Sequence, residues 1–573
     1  MKKILFTLLS VTLILTLTTS CQKDDPIIKD KGELVSATYH ATYKTFTLTF
    51  SNGQTTTVNA IINNNTTPPS ASATLEDGTN IYVKNASQSG KAIVGDNNVN
   101  TISQFVYDGM SLFYLWSNEI INKKPTANDN NPAEYFYSIL NSTDTEHGWS
   151  WITDDVESLM AGFDGESTDA FGFKPLPLYY ESGSDRIVGF VRYVYPNTPA
   201  EKAGIKRGDI ITHANGNLIT VNNYSIMNGA NAKTTFTVLD QNFENPRDID
   251  ITPAVINTDP VLYYKVYQGE GFEGRKVGYL FYTEFIEKYN ESLYNVFSEF
   301  KSAGITDLVL DLRYNPGGGV SAATYLASLI APVAEVQKKS VFTVMSYNGY
   351  VNDIYDQNKW DRNAYLGNYN TKYSNPINAN VNDGDLNLYI ITTSSSASAS
   401  ELLTFCLKPY MQVEHQVEHI GEKTSGKYTA SWTLHAYNNY NGRVQQVYVE
   451  SSLTDEEKRD LKNWGMQPIV GRYTDKDNKD FIATNGLIPG HPIAETDINE
   501  RRVSTWKPIG DIDDYLFAKA ISLITGKPYT VSQTRSSTNV QFQKAELYST
   551  MESVYREGVI IDNPKLLPPL VKE

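Results

Sequence analysis

One segment constrains the architecture of this 573-residue chain more than any other: an apolar run, Leu386-Asn387-Leu388-Tyr389-Ile390-Ile391, leads into Ser396-Ala397-Ser398-Ala399-Ser400-Glu401. The apolar run predicts a strand, and a helical pattern begins at Leu402. A strand-to-helix turn of small residues exposes one side chain and directs backbone N–H groups at its surroundings. A Gly-rich block, Gly421-Glu422-Lys423-Thr424-Ser425-Gly426-Lys427, follows and supplies a lysine. The two blocks together predict a serine nucleophile with a lysine base.

The residues around these blocks predict an α/β domain over 262–528, because apolar strands alternate with amphipathic helices. The predicted elements are strands at 277–280 and 307–312, helices at 291–303, 321–329 and 514–524, a glycine turn at 315–319 and a long polar region at 436–480. With 573 residues, further domains are expected on either side of this one.

Residues 168–256 show a different pattern, of short strands separated by glycine turns. Pro199 suits the first turn of a short helix and Gly204 its end, and Arg207-Gly208-Asp209-Ile210-Ile211 leads into a strand. This segment resembles a PDZ domain of the type found in bacterial proteases. The resemblance implies that the backbone of Phe171-Gly172-Phe173 holds the terminal carboxylate of a peptide, whose strand pairs with the adjacent sheet edge. The alternative is a covered groove that only gates the protease.

Three further segments complete the predicted organisation. Alternating residues on both sides of Ser51-Asn52-Gly53 predict a hairpin, and residues 33–91 as a whole a small β-module. Residues 99–165 have aromatic residues at helical spacing and predict a helical N-terminal region. Residues 529–573 read as a polar C-terminal tail with one helical stretch.

The N-terminus predicts export. Residues 1–21 begin with Met1-Lys2-Lys3, continue with an apolar stretch too short to span a bilayer, and end at Cys21 after small residues. This pattern resembles a bacterial lipoprotein signal, which implies acylation of Cys21. An ordinary secretion signal with an incidental cysteine is the alternative. Gln22-Lys23-Asp24-Asp25, at the start of the tether over 22–32, is similar to the export tag of some Bacteroidetes lipoproteins, so the periplasmic face of the outer membrane and the cell surface both stay open.

Composition excludes some partners. A net charge of −16 argues against nucleic acid and against electrostatic adsorption to anionic lipid. Cys21 and Cys406 are the two cysteines, so lipidation of the first leaves no intramolecular disulfide. Cys406 lies in an apolar helical stretch and is expected to pack rather than react.

Four motifs in order resemble the C-terminal processing peptidase (tail-specific protease) family over residues 99–528. They are the PDZ motifs, Asp311-Leu312-Arg313-Tyr314-Asn315-Pro316-Gly317-Gly318, the Ser396–Glu401 block and the Gly421–Lys427 block. The resemblance implies a multidomain α+β protein, with a ClpP- or crotonase-like α/β protease core, a PDZ domain, a helical N-terminal region and a small N-terminal β-module. No cofactor is implied.

The same resemblance assigns roles to individual residues. Ser398 is the nucleophile and Lys427 its general base, which must be neutral and therefore buried. The oxyanion hole is formed by the N–H of Ala399 and one from the turn at Gly317 and Gly318. Many members have a glutamine four residues after the lysine. Here that position is Ser431, a hydroxyl that can still orient the dyad.

Two other motifs suggest rival sites. His415-Gln416-Val417-Glu418-His419 fits the H-x-x-E-H pattern of inverted zinc peptidases, which requires a helix. Gly421–Lys427 mimics a phosphate loop, but Tyr428 replaces the Ser or Thr that binds magnesium.

The sequence therefore predicts an exported, lipid-anchored serine endopeptidase that cleaves unstructured or C-terminal polypeptide segments captured by its PDZ domain. Its expected partners are polypeptide substrates, membrane lipid through Cys21, and a regulatory protein. The alternatives are a catalytically silent scaffold that binds peptides through the same domain, and the zinc hydrolase.

Overall fold

The computed structural model describes residues 34–64, 68–75, 79–83, 85–94, 99–126, 128–181, 183–411, 416–495, 506–528, 543–544, 559–561 and 564–572. The predicted signal and tether, with Cys21, lie outside these residues, as does His415. The chain divides into two units, residues 1–98 and 99–573. Within the described ranges, no helix combines the length and apolarity needed to cross a membrane.

The first unit is a seven-stranded antiparallel sheet with strand order β3-β2-β1-β7-β6-β5-β4. Its strands are β1 (Leu34–His40), β2 (Thr45–Phe50), β3 (Thr55–Asn59), β4 (Ile61–Asn63), β5 (Ser70–Thr74), β6 (Asn80–Val83) and β7 (Gly90–Val94). Gly53 has a φ of 81° in the turn between β2 and β3, a conformation that glycine adopts without strain. The strands extend three residues past the predicted end of the β-module.

The helical region begins the second unit. It comprises α1 (Thr101–Phe113), α2 (Pro132–Ile139), α3 (Ser142–His147), β8 (Trp151–Thr153) and α4 (Val156–Phe163). The Asn100 side chain caps α1 by accepting from the N–H groups of Ile102 and Ser103. The buried aromatic face of α1 packs into the same core as the α/β domain, so this region is a layer of the larger unit.

The PDZ-like domain is built on strands in the order β15-β14-β12-β11-β10-β31. Its elements are β9 (Glu166–Ala170), β10 (Phe173–Tyr179), β11 (Ile187–Val194), α5 (Pro199–Lys202), β12 (Ile210–Ala214), β13 (Asn217–Leu218), β14 (Thr234–Leu239), β15 (Arg247–Ile251) and β16 (Ala254–Asn257). As predicted, the short helix starts at Pro199, with Thr198 as its cap, and Gly204 follows it with a φ of 82°. β31 (Gln543–Lys544) comes from the C-terminal tail.

A six-stranded sheet with the order β17-β18-β19-β23-β24-β30 positions the motifs. Its strands are β17 (Val261–Tyr267), β18 (Val277–Tyr282), β19 (Asp307–Asp311), β23 (Asn387–Thr392), β24 (Val417–Gly421) and β30 (His491–Pro492), of which the last five run parallel. β18 and β19 are buried along their whole length, as expected for strands covered on both faces. The covering helices include α6 (Asn290–Ala303), α7 (Val320–Ile330), α11 (Ala399–Leu407) and α13 (Tyr515–Thr525).

Two smaller sheets complete the domain. One has the order β20-β32-β25-β29-β21-β22 and the other β27-β26-β28-β8. Their strands are β20 (Gly318–Gly319), β21 (Val341–Tyr347), β22 (Asn363–Tyr365), β25 (Thr429–Ser431), β26 (Leu434–His435), β27 (Gln445–Gln446), β28 (Gly465–Gln467), β29 (Ile469–Thr474) and β32 (Val559–Ile560). The remaining helices are α8 (Val333–Gln337), α9 (Gly349–Gln357), α10 (Pro376–Ala379) and α12 (Asp455–Leu461). The region 436–480, which looked only polar in sequence, thus contributes three strands and a helix.

Candidate active site

Ser398 lies at the turn between β23 and α11, as the strand-to-helix pattern predicts. Its backbone has a φ of 60° and a ψ of −108°, outside the regions that a non-glycine residue favours. Such a conformation costs about 1–3 kcal/mol and persists only where the surrounding structure enforces it. The side chain is 0% exposed, and no group of the described residues forms a hydrogen bond with its Oγ. The turn therefore holds a buried hydroxyl without a partner.

The glycine turn packs directly on this serine. A Cβ atom on Gly317 would lie 2.9 Å from Ser398 Cβ and 3.0 Å from the nitrogen of Ala399, and the φ of Gly317 is 116°. Only glycine fits both the space and the conformation. Two of the predicted oxyanion residues, Ala399 and Gly317, thus lie close to Ser398, whereas Gly318 packs on Phe285.

Asn315 fixes the position of both turns. Its carbonyl oxygen accepts from Ala397 N at 3.1 Å and from Ser400 Oγ at 2.9 Å, and its Oδ1 accepts from Gly317 N at 2.9 Å. The N–H of Gly317 is therefore engaged in this conformation. An oxyanion role for Gly317 requires exchange of that bond and stays a prediction, as do the roles of Gly318 and Ala399.

Glu401 joins the serine turn to the lysine loop, a contact that the sequence did not predict beyond helix capping. Oε2 accepts from the backbone N–H groups of Ser398 at 2.7 Å and Lys427 at 2.9 Å. Oε1 accepts from Thr424 Oγ1 at 2.5 Å and from Gly426 N at 2.7 Å. Burial raises the pKa of Glu401, and these four donors oppose the rise because they favour the ionised form.

Lys427, whose backbone N–H donates to Glu401, is 3% exposed. The Tyr473 hydroxyl lies 3.0 Å from the carbonyl oxygen of Lys427 and 3.3 Å from that of Ser398. Tyr473 on β29 therefore contacts the backbone of both residues. Burial raises the pKa of Tyr473 well above its usual value, which keeps the hydroxyl a donor. Ser431 is buried on β25, four residues after the lysine. Ser398, Lys427 and Ser431 therefore lie in one region of the fold, although their catalytic roles remain predictions.

A buried ionic network around Arg313 lies next to the glycine turn at 315–319. Arg313 has no exposed surface and binds Asp311 at 2.6 Å, Asp514 at 2.6 Å and Glu495 at 3.0 Å. Burial opposes ionisation of Asp514 and Glu495, but Arg313 and Arg207 outweigh it and hold both pKa values below their usual range. The Asp-Leu-Arg part of the motif is thus a structural support for the turn that follows it.

The PDZ-like domain joins the same network. Arg207 donates to Glu495 Oε1 at 2.7 Å and to the Tyr314 hydroxyl at 2.7 Å. Arg192 donates to Ser395 Oγ at 2.8 Å, three residues before the candidate nucleophile. The PDZ-like domain therefore contacts both the Arg313 network and the serine turn.

The predicted peptide-binding residues Phe171, Gly172 and Phe173 lie at the start of β10. The two phenyl rings are buried in the core of the PDZ-like domain, with centroids 6.0 Å apart. Gly172 has a φ of 97°, and a Cβ there would lie 2.2 Å from Thr198 Cβ. Any contact with a peptide would therefore come from the backbone of this loop, and its binding role remains a prediction.

Residues 416–419, the described part of the H-x-x-E-H motif, do not provide the helix that the zinc alternative requires. Val417–Gly421 is a strand of the parallel sheet, whereas the H-x-x-E-H pattern needs a helix. His419 is buried with its Nε2 2.7 Å from Thr392 Oγ1, and Glu418 instead contacts His491 at 2.8 Å. The described residues hold no cluster of three metal-ligating side chains.

The segment Gly421–Lys427, whose sequence resembles a phosphate loop, does not have the free N–H groups of one. The N–H groups of Gly426 and Lys427 already donate to Glu401, so they are not free to cradle a phosphate. Burial raises the pKa of the Cys406 thiol, in keeping with a packing role.

Three segments of the chain match family models. Residues 276–483 match peptidase family S41, residues 101–151 the peptidase S41 N-terminal domain, and residues 190–227 a PDZ domain. The resemblance predicted from the four motifs is therefore confirmed, and with it the multidomain α+β fold.

Relatives and solved structures agree with these matches. The chain is similar to the carboxyl-terminal-processing proteases of Synechocystis sp. (25% identity over 57% of this chain and 63% of the relative) and Picosynechococcus sp. (28% identity over 40% and 49%). It spans less than two thirds of the length of these curated relatives. A crystal structure from Bacteroides fragilis, classed with the S41 proteases, has the same fold (TM-score 0.54, 23% identity, 74% of this chain and 97% of that one).

Proposed function

We propose that this chain, whose residues 276–483 match peptidase family S41, is a serine endopeptidase that cleaves unstructured or C-terminal polypeptide segments with a Ser398–Lys427 dyad. The observation that carries the proposal is the bridge formed by Glu401. One carboxylate oxygen accepts hydrogen bonds from the backbone N–H groups of both Ser398 and Lys427 and so holds the two backbones next to each other.

The proposed chemistry depends on the burial of Lys427. Burial disfavours a charged ammonium, so Lys427 can accept the Ser398 hydroxyl proton as the Oγ attacks the substrate carbonyl carbon. The negative charge that develops on the carbonyl oxygen is stabilised by N–H groups of Ala399 and of the turn at Gly317 and Gly318. The lysine then returns the proton to the leaving amine as the C–N bond breaks. Water hydrolyses the acyl-enzyme by the same route, and Ser431 orients the lysine.

The substrate class follows from the PDZ-like domain. An extended polypeptide can pair with the edge of a sheet, and β10, which borders only the two-residue strand β31 on its outer side, begins at the Phe171–Phe173 loop. Capture of a tail by this edge would bring the polypeptide to a domain that touches the serine turn through Arg192.

Export as a lipoprotein is part of the proposal. Acylation of Cys21 would anchor the enzyme to the outer membrane, with either the periplasmic face or the cell surface as its location. Metabolic labelling with a palmitate analogue tests this, since Cys21→Ser should abolish label incorporation. Label that persists in Cys21→Ser contradicts the anchor.

Hydrolysis of fluorescein-labelled, denatured casein tests the enzyme. Wild type should cleave it, Ser398→Ala and Lys427→Ala should not, and a chelator should have no effect. Ser394→Ala is the matched control, because Ser394 is an exposed serine of the same turn. Activity that survives Ser398→Ala refutes the dyad. Casein binding without cleavage by wild type supports the silent scaffold instead.

A further inference from the structure

The C-terminal segment places a strand between the two halves of the candidate active site. β32 pairs with β20 on one side, Gly318 opposite Val559 and Gly319 opposite Ile560. On its other side it pairs with β25, and Ile561 N donates to Ser431 O at 3.1 Å. β20 follows Gly317, which packs on Ser398, and β25 begins two residues after Lys427. β32 thus fills the groove between the serine side and the lysine side.

The same segment covers the peptide-binding edge of the PDZ-like domain. Gln543 lies opposite Tyr179 and Lys544 opposite Leu178, antiparallel to β10. β10 is otherwise the last strand of its sheet, and it starts at the predicted carboxylate-binding loop. Antiparallel addition to such an edge is how a sheet recognises an extended peptide.

The end of the segment is fastened to the α/β domain. Gln445 forms two hydrogen bonds with the backbone of Leu567, at 2.7 Å and 3.1 Å, and the Leu567 side chain is buried. Leu570 bonds to Val447 O and Val449 N through its own N–H and carbonyl. This attachment keeps β32 close to its groove.

We propose that the groove between β20 and β25 and the edge of β10 are two backbone-pairing sites for extended polypeptide, and that the chain's own residues 559–561 occupy the first and residues 543–544 the second. The inference deepens the proposed function and rests on it, because it names the surfaces that a substrate must take. The full burial of Ser398 accords with an occupied groove, since a nucleophile open to substrate needs access. Substrates then compete with a segment that is covalently tethered beside its own site.

Tethering sets the size of the effect. At an effective concentration of about 1 mM, a tethered segment with an intrinsic Kd of about 0.1 mM occupies the groove about nine-tenths of the time. The apparent Kd of an added polypeptide for this groove then rises by roughly tenfold.

The test uses the full chain with Ser398→Ala, so that binding is measured without catalysis. A recognition site for a sequence-specific protease is inserted between residues 550 and 551, and cutting there turns 551–573 into a separate peptide. The probe is fluorescein-labelled synthetic peptide 551–573, followed by anisotropy before and after cutting and dilution. The same insertion between Ser87 and Gln88, in an exposed turn of the N-terminal unit, controls for treatment.

We expect the probe to bind about tenfold tighter after cutting at 550, to be displaced by denatured casein, and to bind equally before and after cutting at 87. Equal binding before and after cutting at 550, or a probe that casein does not displace, overturns the proposal and leaves β32 as a structural strand.

A second pair of variants avoids chain cleavage. Ile561→Pro removes the N–H that bonds to Ser431 O, whereas Ile561→Ala keeps it and loses side-chain packing. With Ser398 intact, Ile561→Pro should cleave denatured casein severalfold faster than Ile561→Ala. Equal or slower cleavage counts against occupancy, and unfolding of the proline variant leaves the cut protein as the deciding measurement. If no variant cleaves but cutting exposes the probe site, the proposed function fails, and the groove is a polypeptide-binding site without catalysis.

Discussion

Glu401→Gln is the most informative single substitution, because one side chain holds both halves of the candidate dyad. Each carboxylate oxygen accepts two hydrogen bonds, and all four donors are N–H or O–H groups of buried residues. An amide replaces one of these oxygens by a donor, which then faces another donor.

The loss in the free energy of unfolding depends on which of the four donors can change its hydrogen bonding. The Thr424 hydroxyl can turn and accept, so the amide should take the Oε1 position and leave the Gly426 N–H without a partner. A buried unsatisfied donor costs about 1–3 kcal/mol. The two bonds at the other oxygen also weaken, since bonds to a charged acceptor contribute about 1.5–3 kcal/mol against about 1 kcal/mol for neutral pairs. The free energy of unfolding should therefore fall by about 2–7 kcal/mol.

Activity should fall further than stability alone explains. The backbone of Ser398 and Lys427 is no longer held to one oxygen, and a displacement of about 1 Å in an active site costs roughly 100-fold in rate. The assays are guanidinium unfolding and casein hydrolysis at a temperature where both proteins are folded.

The matched control is Glu422→Gln, a glutamate of the lysine loop whose Oε2 accepts from Ser394 N at 3.1 Å near the surface. It should change the free energy of unfolding by less than about 1 kcal/mol. A Glu401→Gln variant as stable and active as Glu422→Gln would show that the bridge does not position the dyad.

Three further outcomes are expected. Gly317→Ala should abolish casein cleavage, because its Cβ would lie 2.9 Å from Ser398 Cβ; a variant with near wild-type kcat contradicts the close packing. Arg313→Met should lower the free energy of unfolding by about 3–5 kcal/mol in chemical denaturation, since it leaves buried carboxylates without their cation, and a change under 1 kcal/mol would refute the network. Burial lowers the pKa of His419 to about 3, so its contribution to stability is complete above the ordinary pKa of 6.5 and is lost as pH falls toward 3. That difference in pKa corresponds to about 5 kcal/mol. The free energy of unfolding of His419→Gln should therefore depend less on pH between 6.5 and 3 than that of wild type or of His213→Gln, a control that replaces a half-buried histidine of β12.

Local patterns sufficed to predict much of the fold and the position of Ser398 at a strand-to-helix turn. The apolar run before Ser396 and the helical pattern from Leu402 fix a strand-to-helix turn, since strand and helix periods are readable over a few residues. The short helix at Pro199 and its glycine stop were readable for the same reason.

The contacts that support the candidate active site could not be predicted from the sequence, because they join distant parts of the chain. Tyr473 reaches Ser398 across 75 residues, and Arg207 reaches Glu495 across 288. No periodicity marks such pairs. The C-terminal tail was read as a separate polar segment for a related reason: Val559 and Ile560 are too few to show a strand pattern, and their partners are supplied by tertiary structure. A signal was available only for Glu401, whose fixed spacing from Ser398 also suits a cap.

The backbone of Ser398 has one more consequence, which concerns evolution. Glycine adopts a φ of 60° without strain, so a descendant freed from catalysis would gain stability by replacing this serine. Ser398→Gly should accordingly be more stable than Ser398→Ala, while neither cleaves substrate. A side chain kept where its absence would stabilise the protein indicates selection for chemistry, and it does so within a single chain.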